Sequence, residues 1–197
     1  MMTVRQIERL WHSKAYRRLC QELLAARQEA SFALEGTDRP CFVAALAIVR
    51  MDELNQSHHP LSATLLRTVL TGQDRDGGWG DPATTALCLR ALTLNRGTGA
   101  AIEAGMSYLA ALQKEQGIWP GGPLRRMPED PSASLFILYQ LGDNPRFRDT
   151  VRFNDALEWF DRNASTLNHE DRRLCQWASL RWRTASQRKV ETGLLVG

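Results

Sequence analysis

Apolar positions along this chain fall into two alternating patterns. One is a stripe recurring every three or four residues with charges between, which marks a helix lying half in solvent. The other is a run of about ten residues nearly free of charge, which marks a helix covered on most sides. Residues 4–30 open with the first pattern: Ile7, Trp11, Ala15, Leu19, Leu23 and Ala26 make one stripe, and Arg and Glu fill the rest. After Gly36-Thr37-Asp38-Arg39-Pro40, the stretch Cys41 to Met51 carries a single charge, Arg50. Pro40 suits a first helical turn, where its missing N–H removes no bond. The alternation then repeats. Leu61–Gly72 is striped through Leu65 and Val69, and Pro82–Asn95 holds only Arg90 as an ion. Ala100–Lys114 is striped through Ile102, Met106, Leu109 and Leu112, and Pro131–Leu141 has no charge. Phe147–Ala164 is striped through Phe153, Leu157 and Phe160, and the more polar Glu170–Arg183 closes the series.

The pattern predicts an all-α fold of eight helices in four pairs, the second member of each pair buried. Two layers follow, an outer row packed on an inner row. Short connections predict that each pair is an antiparallel hairpin. One hairpin cannot cover its inner helix, so neighbouring pairs must stack into an arc. Residues 1–187 then form one domain, and 188–197 a flexible tail.

Within this alternation lies an exact repeat. Gln73, Gly77 and Trp79 return 40 residues later as Gln113, Gly117 and Trp119, each time in the spacing Gln-x3-Gly-x-Trp. A fixed period of this length marks a repeat architecture. The residue types have a structural reading. Each Gln sits at the end of a striped helix, where carbonyls lack partners. Its amide both donates and accepts, so it can bridge those carbonyls to the start of the next buried helix. Gly permits a tight reversal, and Trp supplies a flat apolar cover. Two buried helices also open alike, at Asp81-Pro82 and Asp130-Pro131. Asp as N-cap accepts from free backbone N–H groups, and Pro follows at the first helical position.

The fuller motif Gly105-x2-Tyr108-Leu109-x3-Gln113-x3-Gly117-x-Trp119 resembles the QW motif of squalene-hopene and oxidosqualene cyclases. Those enzymes share the α/α-toroid fold with protein prenyltransferase β subunits. Ala104 stands where the motif usually opens on a basic residue, and Thr68 replaces the aromatic of the first copy. A decayed third copy starts at Ala156-x2-Trp159-Phe160, with Ala164 in place of Gln. The resemblance covers roughly residues 60–142 and implies a partial α/α toroid whose motifs brace its outside.

The catalytic parts of those families have no counterpart here. The cyclases protonate their substrate with an Asp-x-Asp-Asp motif, which this sequence lacks. The weak candidates for an acid are Asp76, Glu129 and Asp130. A helix N-terminus stabilises negative charge, which opposes an acid that must hold its proton. The prenyltransferase zinc site needs an Asp-x-Cys pair, but Ala86 precedes Cys88 at that spacing. The four His residues are dispersed, and a zinc site needs three or four converging ligands. No metal and no cofactor is expected. Arg90 and Tyr139, each eight residues after its helix-opening Pro, and nearby Phe136 are the candidates for lining a ligand groove. The bland alternative has Arg90 reaching to the rim and Tyr139 making one local hydrogen bond. Arg125-Arg126, in the Pro- and Gly-rich loop 117–128, are either solvated or placed to meet an anion.

Composition narrows this only a little. The net charge of +3 is spread evenly, with 8 basic against 7 acidic groups in residues 1–60 and 5 against 5 in 61–120. Nucleic-acid binding calls for a basic block, and there is none. No run reaches the roughly 18 apolar residues needed to span a bilayer. The N-terminus lacks a signal-peptide core, and four scattered cysteines fit reduced thiols in a cytoplasmic protein. The expected function is a non-catalytic α/α-toroid-like module that binds a protein partner, a second copy or an apolar lipid- or isoprenoid-like ligand. The alternatives are an enzyme or enzyme subunit of isoprenoid or lipid metabolism, and a purely structural oligomerising scaffold.

Overall fold

The computed structural model describes residues 40–95 and 99–194, with side chains through residue 182. The helix expected over residues 4–30 lies outside the described residues. Among those described, eight helices follow in order: α1 (Pro40–Glu53), α2 (Leu61–Thr71), α3 (Pro82–Thr93), α4 (Gly99–Leu112), α5 (Pro131–Leu141), α6 (Pro145–Thr150), α7 (Phe153–Arg162) and α8 (His169–Leu194). No strand forms among them, and Pro120 and Glu129 make one isolated antiparallel bridge. No helix of the described residues is long and apolar enough to cross a membrane.

The low-charge helices form one continuous row. α3 touches α1 on one side and α5 on the other, and α5 in turn touches α8. In α3, ten side chains from Pro82 to Leu92 are buried. Leu87, Leu89 and Leu92 are fully enclosed, each contributing about 2 kcal/mol of burial. The striped helices lie against this row, with α2 packed mainly on α1 and α4 on α3. This pairing is one step out of phase with the expectation that each outer helix would pair with the inner helix after it. The indole of Trp79 lies at the meeting of α2 and α4. It is fully buried and bonded to Val69 in α2, with Gly105 of α4 directly beside it.

Two further boundaries differ. The single helix expected over 147–164 is two, α6 and α7, separated at Val151 and Arg152. The backbone N–H of Arg152 donates to Gln113 Oε1 at 2.7 Å and so is withdrawn from helical pairing. Residues 188–194, expected as a flexible tail, continue the backbone of α8. Ala185, Gln187, Arg188, Lys189 and Glu191 are all good helix formers, which favours that extension.

Both Gln-x3-Gly-x-Trp segments build the same joint. Gln73 Nε2 donates to Gly77 O at 2.9 Å and to Ala101 O at 2.9 Å. Gln113 Nε2 donates to Gly117 O at 2.9 Å and to Arg152 O at 3.1 Å. Each Gln therefore closes its own turn and grips the start of the next outer helix, rather than the next buried helix. Trp79 Nε1 donates to Val69 O at 2.7 Å, and Trp119 Nε1 to Leu109 O at 2.8 Å. The backbone N–H groups of these tryptophans donate to Thr85 Oγ1 and Ser134 Oγ, both at 2.9 Å. Gly77 and Gly117 hold φ of +91° and +85°. A Cβ on Gly117 would lie 2.3 Å from the backbone nitrogen of Ala156, and one on Gly77 would lie 2.6 Å from Ala104 O. Only glycine meets both demands.

Replacing Gln113 by Ala would leave the Arg152 amide and two carbonyls without their partner, at about 1–3 kcal/mol for each group kept from water. We expect Gln113→Ala to lower unfolding free energy by about 2–4 kcal/mol in urea titrations. Gln73→Ala, at a half-exposed residue with two such bonds, is expected to lower it less. Equal effects would show that the two joints are not graded by burial.

Candidate functional site

Arg90 is the one ion of α3 and lies in its last turn. Its Nη1 reaches both carboxylate oxygens of Asp143, at 3.0 and 2.9 Å. Asp143 follows Gly142, which ends α5 without a side chain. A Cβ on Gly142 would come within 3.1 Å of the Trp182 ring, so the bare backbone lets α8 settle here. That packing carries Arg181 to the same carboxylate, at 3.4 Å, and places its guanidinium 4.9 Å from the Tyr139 ring centre. The result is a polar knot joining the C-terminal ends of α3 and α5 to the middle of α8.

The knot is partly shielded, with the three charged side chains 18–22% exposed. Two guanidinium groups face one carboxylate, leaving one positive charge in excess. Arg90 Nε and Gln140 Oε1 are buried and hydrogen-bonded to nothing. At the other end of the same helices, Ser132 Oγ donates to Asp171 Oδ1 at 2.8 Å. Asn168 Nδ2 donates to the second oxygen at 2.7 Å. Contacts in the same order along both helices show that α5 and α8 run parallel.

Of the residues singled out from the sequence, Arg90 and Tyr139 come together, but through intermediaries: Asp143 binds the first and Arg181 covers the second. Phe136 is half-buried against the core. Asp76 Oδ1 accepts from Gly78 N at 3.0 Å, inside its own turn. Asp130 caps α5, accepting from Ala133 N at 3.0 Å. Glu129 lies in the loop before it and pairs with Pro120. These three carboxylates do not join the Arg90–Asp143 knot. The sequence reading missed Asp143 and Arg181. Asp143 is the sole acid between residues 131 and 148, so a counter-ion for Arg90 was available there, but only the packing of α8 identifies Arg181.

Two of the thiols, Cys88 and Cys175, are held toward their neutral form. Burial first, then the hydrogen bond toward Cys41, pushes the Cys88 thiol well above its usual range. Burial and then the charge of Asp161 raise Cys175 as well. Among the described residues no group of three or more His, Cys, Asp or Glu is placed to hold a metal ion.

Asp143→Ala would strand two guanidinium groups and is expected to lower stability by about 1–3 kcal/mol. Glu158→Ala breaks a pair that is 70–72% exposed and should change stability by less than about 0.5 kcal/mol. Thermal and urea denaturation of both variants checks the contrast. Because the folded-state pKa of Cys88 is raised, its contribution is intact below the ordinary thiol range and is lost as pH rises above it. Native protein should accordingly label at half-buried Cys175 before Cys88, read by mass spectrometry of tryptic peptides. Early modification of Cys88 would contradict its enclosure. No family model, curated protein or solved structure matches this chain.

Proposed function

We propose that the chain is a non-catalytic binding or scaffold module built on the α/α-toroid plan of the terpenoid cyclases and protein prenyltransferases, and that its Gln–Gly–Trp joints are QW motifs. Supporting the architecture, the residues of both copies at corresponding positions make corresponding bonds. Supporting the absence of chemistry, Asp76 and Asp130 are engaged as a turn acceptor and a helix cap.

The observation that carries the binding role is where apolar surface remains exposed. Among the described residues the exposed large apolar side chains are Val43 on α1, Leu124 in the loop after Trp119, and Trp177 and Leu180 on α8, exposed by 49%, 48%, 51% and 63%. Among the described helices, α1 and α8 stand at the two ends of the inner row. A stacked repeat leaves apolar flanks at its ends unless something covers them, so the ends are where a protein partner, a second copy or an apolar ligand adds.

Native mass spectrometry of protein purified from its own host tests this reading, because it reports stoichiometry and retained small molecules together. The expected outcome is a complex, a dimer or a retained lipid-like ligand. A bare monomer that turns over a polyprenyl substrate, and loses that turnover in Asp76→Asn, Glu129→Gln or Asp130→Asn, would replace it with the enzyme reading.

A further inference from the structure

The two repeats differ by one insertion. Trp79 is two residues from its helix-capping Asp81, whereas Trp119 is eleven from Asp130. The nine extra residues form a pinned loop. Pro120 bridges Glu129, Gly121 N donates to Pro128 O at 3.2 Å, and Asp130 N donates to Trp119 O at 3.0 Å. At its tip Met127 N donates to Leu124 O at 2.9 Å, leaving Arg125 and Arg126 exposed.

Between this loop and the turn after α4 lies an open cleft of about 470 Å³, lined by Lys114, Glu115, Gln116, Arg125, Arg126 and Glu129. Three cations and two carboxylates share it, yet none of the five takes part in an ion pair among the described residues. The turn side is held by bonds that leave those charges unused. Gln116 Oε1 accepts from the Trp159 indole at 3.1 Å. Lys114 N donates to Ile118 O at 3.0 Å, and Arg152 Nη1 donates to Glu115 O at 3.4 Å.

We propose that this cleft binds a single phosphate-type dianion, free or carried on a small organic molecule. Two guanidinium groups offer planar donor forks and an ammonium adds a point charge. A phosphate presents three terminal oxygens to three separate cations, which a carboxylate with two cannot do. The two lining carboxylates hold the excess to one positive charge, which leaves enough for one compact anion and little to hold an extended polyanion. A turn and loop already tied down lose little freedom on binding.

The test uses the full chain, labelled with ¹⁵N so that the Trp159 indole N–H reports on the cleft wall, and titrated at low salt with inorganic phosphate and separately with glycerol 3-phosphate. We expect a saturable shift of that indole resonance, with a Kd on the order of 1 mM that weakens several-fold at physiological ionic strength. Arg125→Gln/Arg126→Gln and, independently, Lys114→Gln should each weaken binding at least tenfold, while Arg67→Gln on the exposed face of α2 should not. Both variant sites lie outside the core, and an unchanged thermal midpoint confirms their folding. Equal affinity for the two ligands assigns the free anion, and tighter binding of glycerol 3-phosphate assigns the organic carrier. No saturation up to about 10 mM, or undiminished binding in both cleft variants, overturns the proposal. Neither outcome bears on the end-helix association, which involves different residues.

Discussion

A side-chain amide standing in for backbone partners is the interaction on which the packing depends. Helix ends leave carbonyl and amide groups unmatched, and a turn between layers multiplies them. Gln113 is fully buried and answers three at once: Gly117 O, Arg152 O and Arg152 N. Each bond contributes only about 1 kcal/mol net, yet each group left bare inside would cost more than that. The amide thus sets where α7 may begin, and the break between α6 and α7 follows from it. Neither Glu nor Lys could substitute, because one lacks the donors and the other the acceptor.

The repeat motif is longer than one joint because it serves two. Gly105 lies against Trp79, and Tyr108 donates to Gly80 O at 2.8 Å, so this half of the second copy clasps the first turn. Leu109 and Gln113, the other half, clasp the second turn. This division accounts for the imperfect copies. Thr68 occupies the aromatic position of the first copy, and no Gly-x-Trp turn precedes it in the sequence. Ala156 and Trp159 of the third copy face the second turn through Gly117 and Gln116. Ala164 replaces its Gln where no third Gly-x-Trp turn follows. The positions that differ between the copies are those with no such turn beside them in the sequence.

Helix positions were legible wherever one periodicity governed a whole element. Pro131–Leu141 is bounded by a capping Asp-Pro and a Gly, and its observed ends match. The phase of the pairing was not legible, because it is set by tertiary packing rather than by any local pattern. The split at Val151 was hidden for a related reason: the cause sits 39 residues away, in Gln113. At the polar knot, Arg90 stood out as the one ion of a buried helix. Arg181 did not, since α8 is rich in charge and only tertiary packing selects which of its arginines turns inward.

The two kinds of polar group in this molecule separate along a physical line. Those of the joints are answered within the fold: amides meet carbonyls, caps meet N–H groups, and Asp143 meets Arg90. The charged side chains of the inserted loop and its facing turn take part in no ion pair among the described residues, although opposite charges share the same cleft. A flexible surface would let such charges wander and pair with water at little consequence. Here the loop is tied at both ends and the turn is locked by the joint beneath it, which fixes the backbone that carries them. Function is commonly added to loops mounted on rigid scaffolds, and a joint already braced by three side-chain bonds is the least deformable place this fold offers for such an addition.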